Sequence, residues 1–281
     1  MGLRIQNNVE AFNTHRQLTT TSSAAAKSME KLSSGYRINR AADDAAGLAI
    51  SEKMRGQIGG LAQAQRNAQD AVSLVQTGEG ALNEVHSMLQ RMRDLKVQYS
   101  NDTLDSSDKD AIVSEAKALS DEISDIRTKT DFNGIKLLDG SKSSVSFQVG
   151  ANAGDTVSAT TVDINGASGV GTNIAGLQTA AAGSASKTAW DSVTIGDIDT
   201  AINNISSVRS GFGATQNRLE HRLNNLSTYQ ENLVASESRI RDVDMASEMV
   251  NFTKLGILQQ AGTSMLAQAN QAPQSVLSLL R

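Results

Sequence analysis

Ile205, Phe212, Leu219, Leu226, Leu233 and Ile240 stand seven residues apart, an unbroken series of six large apolar side chains. With 39% of the chain hydrophobic, such a run in one chosen phase arises by chance roughly once in 300 trials. The interleaved positions are weaker: Val208, Tyr229 and Val243 keep the pattern, and Thr215, Arg222 and Ser236 break it. A second series nearer the N-terminus alternates in steps of three and four: Leu61, Ala64, Ala68, Ala71, Val75, Leu82, Val85, Leu89, Met92 and Tyr99, with Gly78 and Lys96 out of step. A sustained seven-residue repeat keeps one helix seam facing a partner, because it nearly matches two helical turns. The chain is therefore predicted to build long helices that pack lengthwise. Their seam is expected to comprise Leu61, Val75, Leu82, Val85 and Leu89 together with the six residues of the first series.

Composition points the same way. Pro273 is the single proline, so little interrupts helices. Aromatic residues are only 3%, so Ala and Leu on helix seams must supply the burial. A net charge of −4 argues against a nucleic-acid binder, which would show a basic face. No apolar run approaches a membrane span, and a membrane-surface helix would want Lys or Arg opposite bulky aromatics, which this chain lacks. Absence of cysteine excludes a disulfide scaffold, a thiol nucleophile and a Cys-ligated metal. The first residues show no apolar stretch like that of a secretory signal peptide, which fits a cytoplasmic protein and equally one exported by a route that reads other signals.

Along the chain, an amphipathic helix is predicted over residues 9–32, closed by Ser33, Ser34 and Gly35. Asp43 and Asp44 can cap the next helix, which carries the 3/4 series to about Ser100. Asp105 or Ser106 is a candidate cap for a further helix bearing Ile112, Ala116, Leu119, Ile123 and Ile126. Phe132-Asn133-Gly134 reads as a turn, and Val145, Phe147 and Val149 as a strand that pairs with residues 156–162. Residues 163–193 are dominated by Gly, Ala, Ser, Thr and Asn and read as a surface-type insert. Helix resumes near Ile195. A last amphipathic stretch carries Leu258, Ala261, Met265, Ala269, Ala272, Val276 and Leu279.

No catalytic constellation emerges. His15, His86 and His221 are far apart and lack helical zinc spacing. Asp102, Asp105, Asp108 and Asp110 lack the glycine and terminal glutamate of a calcium loop. Gly78-Glu79-Gly80 follows no strand, and Gly166, Gly169 and Gly171 precede no helix, so neither is a nucleotide loop. The chain is expected to be no enzyme and to carry no cofactor or metal.

Several strings go beyond periodicity. Met29-Glu30-Lys31-Leu32-Ser33-Ser34-Gly35, Arg37-Ile38-Asn39 and Asp43-Asp44-Ala45-Ala46-Gly47-Leu48-Ala49-Ile50 resemble the N-terminal signature of bacterial flagellin. Gly80-Ala81-Leu82-Asn83-Glu84, Gln90-Arg91-Met92-Arg93-Asp94-Leu95, Asp131-Phe132-Asn133-Gly134 and Phe147-Gln148-Val149-Gly150 are similar to later parts of it. Gly213-Ala214-Thr215-Gln216-Asn217-Arg218-Leu219 and the stretch from Glu237 to Ala246 resemble its C-terminal region. The resemblance covers about residues 5–152 and 198–281.

It implies a mainly α fold: long antiparallel helices form a terminal coiled coil, followed by a helical-bundle rod with a small β-hairpin. Residues 1–42 and 238–281 would be the coiled coil lining the inside of a hollow helical filament. Residues 43–162 and 194–237 would be the rod of the outer tube, and 163–193 a short variable surface insert. By the same resemblance the chain would be secreted through a narrow channel and polymerise with itself outside the cell to serve swimming. An export chaperone, cap and junction proteins would be its partners, with no nucleic acid and no membrane. A surface stretch of the family is bound by an innate immune receptor of animal hosts, and the matching positions are Gln90, Arg91, Leu95 and Glu115. Met92, Asp94 and Lys96 depart from the commonest family residues there. The alternative is the hook–filament junction protein, which shares related termini. A metalloprotease carried in the insert, as in some flagellins, would need a His-Glu-x-x-His string that is absent.

Overall fold

Side-chain caps set the limits of the helices in the computed structural model, which describes residues 8–164 and 184–279. Helix α1 (Val9–Ser34) starts where the Asn8 side chain accepts from the Ala11 N–H, 3.0 Å away. It ends at Gly35, whose φ of 75° is the left-handed conformation that glycine adopts without a Cβ penalty. Helix α2 (Ala45–Tyr99) begins under Asp44, whose carboxylate accepts from the Gly47 N–H at 2.9 Å. Asp105 caps α3 (Ser106–Lys129).

Two short antiparallel pairs follow. Strands β1 (Asp131–Phe132) and β2 (Ile135–Lys136) flank Asn133 and Gly134, with φ of 51° and 76°. Positive φ at both central residues is the two-residue hairpin turn that matches strand twist. Strands β3 (Ser144–Gln148) and β4 (Thr156–Thr160) pair with Phe147 opposite Val157, and Val157 and Ala159 are buried on the inner face. Helix α4 (Ser184–Ser192) precedes α5 (Ile195–Arg241). A reciprocal cap opens α5: the Thr194 N–H donates to Asp197 Oδ2 at 2.9 Å and the Asp197 N–H to Thr194 Oγ1 at 3.2 Å. Asp244 caps α6 (Met245–Leu279) through the Ala246 and Ser247 N–H groups.

The chain divides into two compact units: a terminal one of residues 1–58 and 231–281, and a central one of residues 59–230. The expected boundaries at 42/43 and 237/238 fall short, because the first turns of α2 and the last of α5 pack into the terminal unit. There the Tyr36 ring lies 5.2 Å from the Arg55 guanidinium and 4.9 Å from that of Arg241. Arg55 pairs with Glu237 at 2.8 Å, and Arg241 with Glu52 at 2.6 Å. Antiparallel α1 and α6 complete this unit, joined by Asn8 Nδ2 donating to the Ala269 carbonyl at 2.7 Å and Ser28 Oγ to Glu248 at 2.5 Å.

The central unit holds the hydrophobic core. One cluster runs through Val75, Leu82, Val85, Leu89 and Met92 of α2, Ile112 and Ile123 of α3, Val157 and Ala159 of β4, and Ile205, Phe212 and Leu219 of α5. Burial of this 3/4 stripe is what the sequence period encodes.

The expectation that 163–193 is a surface insert needs correction at both ends. Ile164, Trp190 and Val193 are fully buried members of the core. A tryptophan held at 0% exposure removes about 150–250 Å² from water, which no free loop does. Residues 165–183 of that expected insert lie outside the described residues.

Candidate assembly surfaces

The expected seam is buried over most of its length. Leu61, Val75, Leu82, Val85, Leu89, Ile205, Phe212, Leu219 and Leu226 are all within 4% exposure, whereas Leu233 and Ile240 are half-buried in the terminal unit. Within this single chain the buried members are core residues, so they stabilise the subunit itself.

Both residues that break the α2 series have structural reasons. Gly78 is buried against Phe212: a Cβ there would stand 2.9 Å from the ring's Cε2. Lys96 is buried too. Its Nζ donates to the Trp190 carbonyl at 2.7 Å and lies 5.1 and 5.2 Å from the Tyr99 and Trp190 rings. Desolvation pushes the Lys96 ammonium below its ordinary pKa, opposed by the Asp191 carboxylate. Burial, and then the 2.5 Å hydrogen bond from its hydroxyl to Asp191, push the Tyr99 phenol up to about 12. This cluster fastens α4 to the end of α2. Sequence reasoning missed it, although the chain's single tryptophan inside a Gly/Ala/Ser stretch was a signal.

Gln90, Arg91 and Glu115 form one exposed surface. The Arg91 guanidinium meets Glu115 Oε1 at 2.7 Å across α2 and α3, and Gln90 Nε2 lies 3.0 Å from His86 Nε2. Leu95, expected on the same patch, is not on it. It is 1% exposed, because it follows Met92 by three residues and so turns into the core stripe.

The terminal unit presents the opposite picture. Every exposed large apolar side chain among the described residues falls within it, save Val97 and Tyr229. Phe12 is 72% exposed on α1, and Val250 and Ile257 are 71% and 62% exposed on α6. In α1 only Thr21, Ala25 and Ser28 are buried, two of them polar. Helix α6 carries Met245, Met249, Val250, Ile257, Leu258 and Met265 exposed among polar neighbours. On α6, Met249, Val250, Ile257 and Leu258 line one apolar groove, and an exposed apolar patch of this kind marks an interaction site. Among the described residues no group of three or more His, Cys, Asp or Glu is placed to hold a metal, and no helix is long and apolar enough to cross a membrane.

A chain with a closed helical core and a terminal helix pair left apolar outside is a self-associating structural protein in class. Residues 5–143 match the bacterial flagellin N-terminal helical region, and residues 195–280 the bacterial flagellin C-terminal helical region. The chain is 52% identical to flagellin of Bacillus subtilis (strain 168), over 99% of this chain and all of that protein. It is 52% identical to flagellin of Halalkalibacterium halodurans, over 99% of each. It is 44% identical to the flagellar filament 33 kDa core protein of Treponema phagedenis, again over 99% of each. The chain belongs to the bacterial flagellin family, whose members are structural filament subunits and not enzymes.

Among solved structures, Bacillus cereus flagellin is similar at 34% identity over 61% of this chain and 94% of that one, with a TM-score of 0.48. A putative flagellar hook-associated protein from Vibrio parahaemolyticus shares the fold at 18% identity, covering 71% of this chain and 100% of that one, with a TM-score of 0.57. The junction-protein alternative is not favoured beside full-length relatives that are filament flagellins.

Proposed function

We propose that this flagellin polymerises through the apolar outer face of α1 and α6 into a hollow helical filament outside the cell, while the α2–α5 core serves as the rod of each subunit. The observation that carries the reading is the concentration of exposed apolar side chains in the terminal unit, Phe12, Val250 and Ile257 foremost. Burying one such side chain stabilises an interface by about 1.5–3 kcal/mol, and a helical array repeats that contact at every subunit. Secretion, an export chaperone, a cap and junction proteins belong to the same reading by family likeness, and the absence of cysteine is compatible with it. The test is polymerisation of the purified chain followed by electron microscopy. Tubular filaments are expected. Protein that stays monomeric even with filament fragments added as seeds would refute the reading.

A second role rests on the exposed Gln90, Arg91 and Glu115 surface. Charged, bidentate guanidinium chemistry is well suited to protein recognition, and this surface is the one that the family likeness assigns to an animal innate immune receptor. Arg91→Ala is expected to weaken signalling by receptor-bearing cells without changing the subunit's melting, since an exposed pair contributes about 0–1 kcal/mol to stability. Unchanged signalling would remove this role.

A further inference from the structure

The exposed apolar face of the terminal unit is rich in one chemically vulnerable group. Of the eight methionines in the chain, Met29 on α1 and Met245, Met249 and Met265 on α6 are 56%, 48%, 51% and 59% exposed, whereas Met92 in the central core is 0% exposed. Met249 borders an apolar groove with Val250, Ile257 and Leu258. Met265 borders a second depression, between α6 and the Glu10–Thr14 turn of α1. A thioether thus borders both of these grooves. Thioethers suit such a surface because they are apolar, soft and unbranched and adapt to an irregular partner. They are also the chain's only sulfur, since cysteine is absent.

We propose that Met29, Met245, Met249 and Met265 form an oxidation-sensitive face, and that peroxide, by converting them to sulfoxides in the soluble subunit, stops that subunit from joining a second copy. In the reaction the thioether sulfur attacks one peroxide oxygen. An S–O bond forms as the O–O bond breaks, sulfur is oxidised by two electrons, and the other oxygen leaves as water after taking up the proton. The product is a polar acceptor with no donor opposite it in an apolar contact, so burying it is costly. Exposure makes the soluble subunit the vulnerable form. Once a neighbouring copy covers the face, the same sulfurs are shielded. The inference rests on the reading that α1 and α6 pack against copies of themselves.

The experiment treats full-length soluble protein and assembled filaments with hydrogen peroxide. It maps sulfoxide by mass spectrometry and measures the subunit concentration needed to polymerise. In the soluble protein the four exposed methionines are expected to oxidise while Met92 is spared; in filaments all four are expected to be protected. The required concentration should rise roughly tenfold or more for each sulfoxide that faces a neighbour. Methionine sulfoxide reductases should restore polymerisation, which ties the loss to this chemistry without any variant. A chain carrying Met29→Leu, Met245→Leu, Met249→Leu and Met265→Leu should polymerise equally well before and after peroxide. Oxidised wild-type protein that polymerises at an unchanged concentration would overturn the proposal, as would an equal loss in the four-leucine chain. If unoxidised wild-type protein forms no filaments, the assembly reading fails first and takes this inference with it.

Discussion

Removing the Trp190 indole should reveal how firmly α4 is held. The side chain is fully buried and packs in the core cluster with residues of α2, α3 and α5. Its roughly 150–250 Å² of surface, at about 25 cal/mol per Å², corresponds to about 4–6 kcal/mol of transfer energy. Measured Trp→Ala costs run about 3–5 kcal/mol. One term works the other way: among the described residues the indole Nε1–H has no hydrogen-bond partner, and leaving a donor unsatisfied costs about 1–3 kcal/mol. Trp190→Ala should therefore lower stability by about 3 kcal/mol, a large fraction of the total of a typical domain. Trp190→Phe keeps most of the apolar area and deletes the orphan donor, so its cost should stay below about 1.5 kcal/mol. Urea unfolding followed by far-ultraviolet circular dichroism measures both. In the parent, the same titration can be followed by the emission of this single tryptophan. A Trp190→Ala midpoint equal to that of the parent would refute the docking of α4. So would equal stability of two chains with a Gly/Ser linker in place of residues 165–183 or 165–190, because only the longer replacement removes the indole.

Leu226→Asp should abolish filaments, since a carboxylate buried at 4% exposure would lose its water without a partner, while Leu226→Ala should lower stability by about 2–5 kcal/mol; normal filament yield from Leu226→Asp would refute the seam. Tyr99 is neutral to about pH 12 in the fold but ionises near 10 when unfolded, so its contribution is complete below pH 10 and falls by up to about 2–3 kcal/mol as pH rises to 12. Lys96, held below its ordinary value, works the opposite way up to that value, and Lys109, Asp110, Lys187 and Asp191 are the other charges around the pair. Tyr99→Phe should flatten the alkaline fall in thermal melting, and identical pH profiles would refute the assignment. Amide exchange should be fast at both ends of the monomer and slow in the filament, because the thin α1–α6 contact sets little burial against about 1–2 kcal/mol of backbone entropy per residue. Removal of residues from Asn251 onward should leave a helical monomer that does not polymerise, and strong protection of both ends in the monomer would refute this coupling.

Helix positions were legible because each buried stripe repeats many times: losing a single match, as at Thr215 or Arg222, leaves the period intact. The caps were nearly as plain. Asn133-Gly134 demands positive φ at both residues, and Gly35 closes α1 in the left-handed conformation. Helix α4 was hidden for the converse reason. Nine residues drawn from Ser, Ala, Lys, Thr, Trp and Asp give too few turns for a period to show, and the composition of its neighbours outweighed one tryptophan. Leu95 was misplaced by adjacency along a motif. Gln90, Arg91 and Leu95 are close in sequence, but a 3.6-residue turn sends the first two outward and the third inward with Met92. The apolar α1–α6 face was legible only as thin stripes, because few of its apolar side chains are buried within this chain: in α1 only Thr21, Ala25 and Ser28 are.

The two residues that spoil the α2 repeat carry more information than those that keep it. A perfect run of Leu and Val would specify a helix that packs on any apolar partner in several registers. At Gly78 the missing side chain admits the Phe212 ring from α5 at a distance no other residue allows, which fixes where α5 lies along α2. At Lys96 a buried ammonium needs a carbonyl and aromatic faces, and only the α4 segment supplies the Trp190 carbonyl and ring there. Each exception costs local stability: glycine in a helix by about 1 kcal/mol, and the lysine through desolvation. Each also excludes alternative pairings, as a single polar residue does in a coiled-coil seam. The repeat decides that this chain makes long packed helices, and its defects decide which surfaces meet.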